Sequence, residues 1–263
     1  MITLFPSRIV AIEIFGFSVH WYGLLYLIGF VLMTIVLPRL QHYRELSLQK
    51  DEWNDLFFWI VIGVIVGGRL GFVLFYEPAY YGAFPLEIFA VWKGGMSSHG
   101  GFIGVGTAII LFAVRRKYPL LALADIAVIP AALGLGLGRI GNLINQELYG
   151  RETLFPWGIV IPGVEGLRHP TPIYSSLANI LIAGLCYMHL RKTEKSGMTT
   201  VLFLILYSIS RFFIEFVREP SHSVISFGSV FLTRGQVLTL FLFLGGSILW
   251  WIARGKRSCD AES

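Results

Sequence analysis

Three arginines in this chain stand where arginine is expensive. Arg69, in "GGRLGFVLFY", and Arg211, in "LYSISRFFIEFVRE", fall inside long apolar stretches, and Arg139 closes a third. A charged side chain at that depth in a bilayer costs free energy and is rarely kept without a purpose. Guanidinium is the group whose planar fork captures phosphate with two parallel hydrogen bonds. The phosphate abundant near that depth is that of phospholipid head groups, so the arginines imply a lipid-phosphate ligand. Around Arg211, helical spacing puts Tyr207 and Glu215 one turn away on either side, with Arg218 completing the same stripe. The competing reading of that stripe is an internal Arg211–Glu215 ion pair that fixes helix packing.

Two further stretches carry chemistry. "KGGMSSHGG" places His99 among glycines, which let a ligand or another backbone come close. Histidine can take or give a proton near neutral pH, although a hydrogen-bonded structural role is the alternative. Ser98 and His99 are chain neighbours that point in different directions on a helix, so they form no nucleophile–base pair on that evidence. "HWYGLLYLIGF" sets Tyr22 and Tyr26 on one face; Trp21 and Tyr22 read as an interfacial aromatic belt, whereas Tyr26 lies deeper and its hydroxyl needs a partner. "GRIGNLINQELYGR", from Gly138 to Arg151, gathers Arg139, Asn142, Asn145, Gln146, Glu147 and Gly150 directly after an apolar run.

The elements that must position these residues are membrane spans. The chain has 263 residues, 55% hydrophobic and 14% charged, against about 25% charged in soluble domains. Seven segments are long enough to cross a bilayer: Val19–Leu37, Asn54–Tyr76, Ser97–Val114, Leu120–Arg139, Ile173–Leu190, Thr199–Val217 and Gln236–Ala253. In lipid the backbone must satisfy itself, which favours helices. The expected fold is therefore an all-α integral membrane protein of about seven transmembrane helices in a single transmembrane domain, residues 1–263. A short amphipathic N-terminal arm, residues 1–18, precedes the spans, and residues 140–172 form a small extracytoplasmic head. One set of loops holds twelve basic residues, in threes: Arg39, Arg44, Lys50; Arg115, Arg116, Lys117; Arg191, Lys192, Lys195; Arg254, Lys256, Arg257. The other set holds six, Arg8, Lys93, Arg151, Arg168, Arg218 and Arg234. The positive-inside rule then puts the N-terminus outside and the C-terminus in the cytoplasm. The net charge of +5 follows topology and anionic lipid, not a nucleic-acid groove. No metal-ligand spacing or phosphate loop occurs, Cys186 and Cys259 are not expected to pair, Gly134 and Gly138 permit close helix contact, and Asp125 reads as a helix-end stabiliser.

"GRIGNLINQELYGR" resembles the signature of the bacterial prolipoprotein diacylglyceryl transferases, Gly-Arg-x-Gly-Asn-Phe-x-Asn-x-Glu-x-x-Gly, at Gly138, Arg139, Gly141, Asn142, Asn145, Glu147 and Gly150. "HWYGLLYLIGF", "GGRLGFVLFY", "GGMSSHGG", "RHPTPIY" and "SRFFIEFVREP" agree in order along nearly the whole chain. The resemblance implies an inner-membrane enzyme that moves the diacylglyceryl group of phosphatidylglycerol onto the lipobox cysteine of a preprolipoprotein, forming a thioether and releasing glycerol 1-phosphate without a metal or cofactor. By position, it implies that Arg139 and Arg211 hold phosphate and that His99 and Tyr26 belong to the reacting site. Asn142, Glu147, Gly150, Tyr207, Glu215 and Arg69 would bind or shape the substrate. The motif's Phe is Leu143 here, and Ser175 stands where many relatives carry glutamate. A lipid transporter or flippase, or a divergent paralogue with altered lipid transfer, is the alternative. An intramembrane serine protease and a lipid-binding scaffold account for fewer of these residues.

Overall fold

A computed structural model describes residues 2–4, 7–219, 225–227 and 230–255. The helices fall where hydropathy places the spans: α1 Trp21–Leu40, α2 Lys50–Phe75, a short α3 Pro78–Ala83, α4 Ser98–Arg116, α5 Leu120–Ile144, α6 Thr171–Lys192, α7 Met198–Val217 and α8 Arg234–Gly255. Among the described residues six helices are long and apolar enough to cross a membrane; α4, 19 residues long, occupies the remaining expected span. The protein is thus an all-α integral membrane protein with only small sheets. It divides into two compact units, Met1–Leu37 with Asp125–Ser263, and Pro38–Ala124.

In the first unit the arm is an antiparallel three-stranded sheet, β1 Ile2–Leu4, β2 Val10–Ile14 and β3 Phe17–His20. Its second turn runs through Phe15 and Gly16, both at positive φ (48° and 86°), the conformation that tight hairpins demand. Helix α7 packs against both α6 and α8. Asp125, fully buried near the start of α5, accepts hydrogen bonds from Gly197 N and Thr200 N, each at 2.8 Å, and from Thr200 Oγ1. It stabilises a helix end as expected, but the end belongs to α7 and not to its own helix. The head carries a two-stranded hairpin, β4 Ile159–Val160 with β5 Leu167–Arg168. An isolated bridge between Gly150 and Arg218 ties the head to the end of α7, and another between Glu152 and Arg168 closes the head on its own hairpin.

The second unit is organised by the closeness of α2 and α4. Gly63, Gly67 and Gly71 on α2 meet Gly100 and Gly104 on α4 backbone to backbone. A Cβ at Gly71 would lie 2.7 Å from Gly100 Cα, and one at Gly67 or Gly104 would strike a carbonyl of the facing helix. At the small-residue spacing Gly134 and Gly138 the approach is close but looser: a Cβ at Gly29 on α1 would lie 3.7 Å from Gly134 Cα, while a Cβ at Gly134 or Gly138 itself meets nothing within 4 Å. Helix α2 opens with a capping box, Gln49 N donating to Glu52 Oε2 at 2.9 Å, and α4 opens with Ser97 Oγ accepting from Gly100 N at 3.3 Å.

Candidate active site

Helix α5 delivers Arg139 near its C-terminal end, and the chain then turns so that the following polar residues fold back on it. Arg139 Nη1 donates to Asn142 Oδ1 at 3.3 Å, and Asn142 Nδ2 donates to Glu147 Oε2 at 3.2 Å. Asn145 Nδ2 donates to Glu147 Oε1 at 3.1 Å, so both carboxylate oxygens are held by amides. The turn needs left-handed backbone at Gln146 and Leu148, φ 57° at each, and Glu147 N closes it on Asn142 O at 2.8 Å. Asn142 is buried.

Helix α7 brings the second group. Arg211 Nη2 lies 2.8 Å from Glu215 Oε2, and Arg218 Nη1 lies 3.5 Å from the same oxygen. Glu215 Oε1 accepts from Thr233 Oγ1 at 3.1 Å, and the glycine at 235 leaves room for this carboxylate, which a Cβ there would meet at 2.8 Å. The ion pair read as the structural alternative is therefore present, and Arg218 is drawn into it. Burial and then the Arg211 charge, with Arg139 adding to them, lower the Arg218 pKa from its usual value, while Glu215 opposes the shift.

Arg139, Arg211 and Arg218 share a small cleft of about 10 Å³, room for roughly one water, with Leu148, Thr171, Pro172 and Ser175. The last three come from the start of α6, where Thr171 Oγ1 donates to Leu148 O. Ser175 thus sits in the wall of the arginine cleft and is buried. The sequence stripe on α7 gave the arginines a shared face, but nothing local in "HPTPIYSS" marked Thr171 and Ser175 as their neighbours.

Tyr26 on α1 approaches Tyr22, hydroxyl to hydroxyl at 3.3 Å with ring centroids 4.9 Å apart. Tyr22 is more than an interfacial ring, because it packs over Gly141: a Cβ there would come within 2.6 Å of Tyr22 Cδ2. The motif's second glycine was the available signal. Gly150 is equally filled around, since its Cβ would lie 2.5 Å from both His169 Cβ and Val217 O. Tyr207 stacks on Phe203, centroids 5.7 Å apart, and is not among the residues lining the cleft.

Arg69 and His99 belong to the second unit. Arg69 is buried and directs its donors to backbone carbonyls within that unit. His99 lies in the first turn of α4, and its side chain is outside the described residues. Lys256, Arg257 and Cys259 also lie outside them.

Fold and centre together define a polytopic helical membrane protein whose polar core sets three guanidinium groups around one cleft, two of them bridged by a buried carboxylate. The family is specific: the model of the prolipoprotein diacylglyceryl transferases matches residues 9–252, and the chain belongs to that family of transferases. It is 43% identical over 251 residues to the phosphatidylglycerol–prolipoprotein diacylglyceryl transferase of Nitrosomonas europaea, covering 93% of this chain and 90% of the relative. The protein of the same name from Geobacter sulfurreducens is 43% identical over 229 residues, 86% of this chain and 88% of its own. That of Bordetella parapertussis is 42% identical over 245 residues, 92% and 93% of the two chains.

Proposed function

We propose that this protein transfers the diacylglyceryl group of phosphatidylglycerol to the lipobox cysteine of preprolipoproteins in the bacterial inner membrane. The observation that carries the chemistry is the convergence of Arg139, Arg211 and Arg218 on one cleft. Attack by the substrate's thiolate on the glycerol carbon forms the C–S bond and breaks the C–O bond to phosphate. Glycerol 1-phosphate leaves with the electron pair of that bond. Fixed guanidinium groups in a water-poor site stabilise the charge that develops on the departing phosphate. Arg139 and Arg211 are its ligands in this reading, while Glu215 keeps Arg211 and Arg218 from repelling each other apart.

The thiol proton must go to a base, since a free thiol with a pKa of about 8.5 is mostly protonated at neutral pH. His99 is assigned that role, and Tyr26, Asn142, Glu147 and Gly150 shape the site. The protein's own cysteines take no part. Seven crossings with the basic loops inside set the N-terminus outside and residues 140–172 on the same face.

The deciding assay incubates purified protein with phosphatidylglycerol vesicles and a lipobox peptide. Thioether-linked peptide appearing with equimolar glycerol phosphate is the expected result. Folded protein that yields neither product, or that moves lipid without forming the thioether, overturns the reading.

A further inference from the structure

Arg69 has an unusual set of partners for an arginine inside a span. Its Nε donates to Ile88 O at 2.8 Å, Nη2 to Glu87 O at 2.6 Å and Ala90 O at 3.3 Å, and Nη1 to Gly95 O at 3.1 Å and to Gly94 O. A guanidinium has five N–H bonds, and each one here has a carbonyl. Its Cζ also sits 5.0 Å over the Tyr81 ring. The side chain is 4% exposed.

The acceptors are carbonyls of irregular backbone: the 3-10 turns at 85–89 and 91–93 and the Gly94–Gly95 corner that follows. Such backbone is tolerated in an apolar setting only when its polar groups are satisfied. Gly94 and Gly95 adopt positive φ, 83° and 74°, which turns both carbonyls onto the guanidinium. A Cβ at Gly95 would come within 2.9 Å of Arg69 Nη1 and 2.8 Å of Phe72 Cε1. The segment then ends on α2 itself, Ser97 N donating to Gly68 O at 2.8 Å, immediately before Ser97 caps α4. From α2, a single side chain therefore fixes the path of residues 87–95, and that path sets where α4 and His99 begin.

We infer that Arg69 is a positioning residue for the transferase reaction, the template on which residues 87–97 fold, and not a ligand of the lipid phosphate. With all five donors engaged, phosphate could bind only by displacing the carbonyls. The link to the reaction rests on the proposed role of His99; the link to the segment does not.

The test uses purified full-length protein in phosphatidylglycerol nanodiscs, comparing wild type with Arg69→Lys and Gly95→Ala. Lysine keeps the charge but has three donors and no fork. The alanine leaves Arg69 intact and presses on it from the loop side. Both variants should raise hydrogen exchange in peptides covering 84–98 by about tenfold or more, with exchange in α5–α7 unchanged. Both should lower kcat by about tenfold while KM for phosphatidylglycerol stays within about twofold. His99→Gln, assayed alongside, separates the two readings: full activity there removes the role of His99 while the exchange data still decide the template. Unchanged exchange with a raised KM in Arg69→Lys and a normal Gly95→Ala would assign Arg69 to lipid binding and overturn the inference. Raised exchange with an unchanged kcat overturns its place in the reaction.

Discussion

At Asn142 both ends of the amide are used, the oxygen accepting from Arg139 and the nitrogen donating to Glu147. Asn142→Asp keeps the shape and the acceptor but loses the donor, setting two carboxylates side by side where one was held by an amide. Like charges in a buried site disfavour ionisation of one partner. Transfer activity should drop by about 100-fold, with the protein still present in the membrane, as read by thioether formation. Arg211→Lys tests the other half of the centre. A lysine at 211 can still meet Glu215, but it presents a point charge in place of the planar fork that also faces the cleft. The kcat/KM for phosphatidylglycerol should fall by about 100-fold, whereas a loss under about threefold would show that charge alone suffices there.

Among the elements, the seams between helices decide more than the helices themselves. Hydropathy reads the spans to within a few residues, because a helix surrounded by lipid is specified by length and apolarity. It says nothing about which helices touch. Small-residue spacing was visible at Gly134 and Gly138, where α1 comes near at Gly29, yet the tightest backbone-to-backbone contact lies between Gly63, Gly67 and Gly71 and the pair Gly100 and Gly104. Spacing marks permission for close approach, and only the partner helix shows whether it is used. Likewise the α7 stripe joined Arg211, Glu215 and Arg218 by periodicity, whereas Ser175 and Thr171 reach the cleft from another helix, a tertiary fact with no local signal. The arm's sheet was hidden because amphipathicity alone names no strand pairing, and its turn at Phe15–Gly16 is not a common hairpin pair. Gly104→Leu should therefore abolish packing of α4 on α2, seen as loss of a cooperative melting transition in detergent, while Gly134→Ala leaves the melt unchanged. At the far end of α7, Asp125→Ala removes three hydrogen bonds from the helix start. It should lower stability by roughly 2 kcal/mol, measured by denaturant unfolding in micelles.

For the molecule as a whole, the asymmetry of twelve basic residues against six predicts that the richer loops lie in the cytoplasm. The seven crossings proposed above would put the termini on opposite sides, and a label on any one loop then predicts the side of all the others. Leu154, in the segment between α5 and α6, is 98% exposed, and Glu194, between α6 and α7, is exposed on the opposite side of one span. With the native cysteines replaced by serine, Leu154→Cys should react with a membrane-impermeant maleimide in intact spheroplasts. Glu194→Cys should react only after permeabilisation. The reverse pattern would put the head in the cytoplasm, and with it the loop of Asn142 and Glu147 and the arginine cleft beside α6.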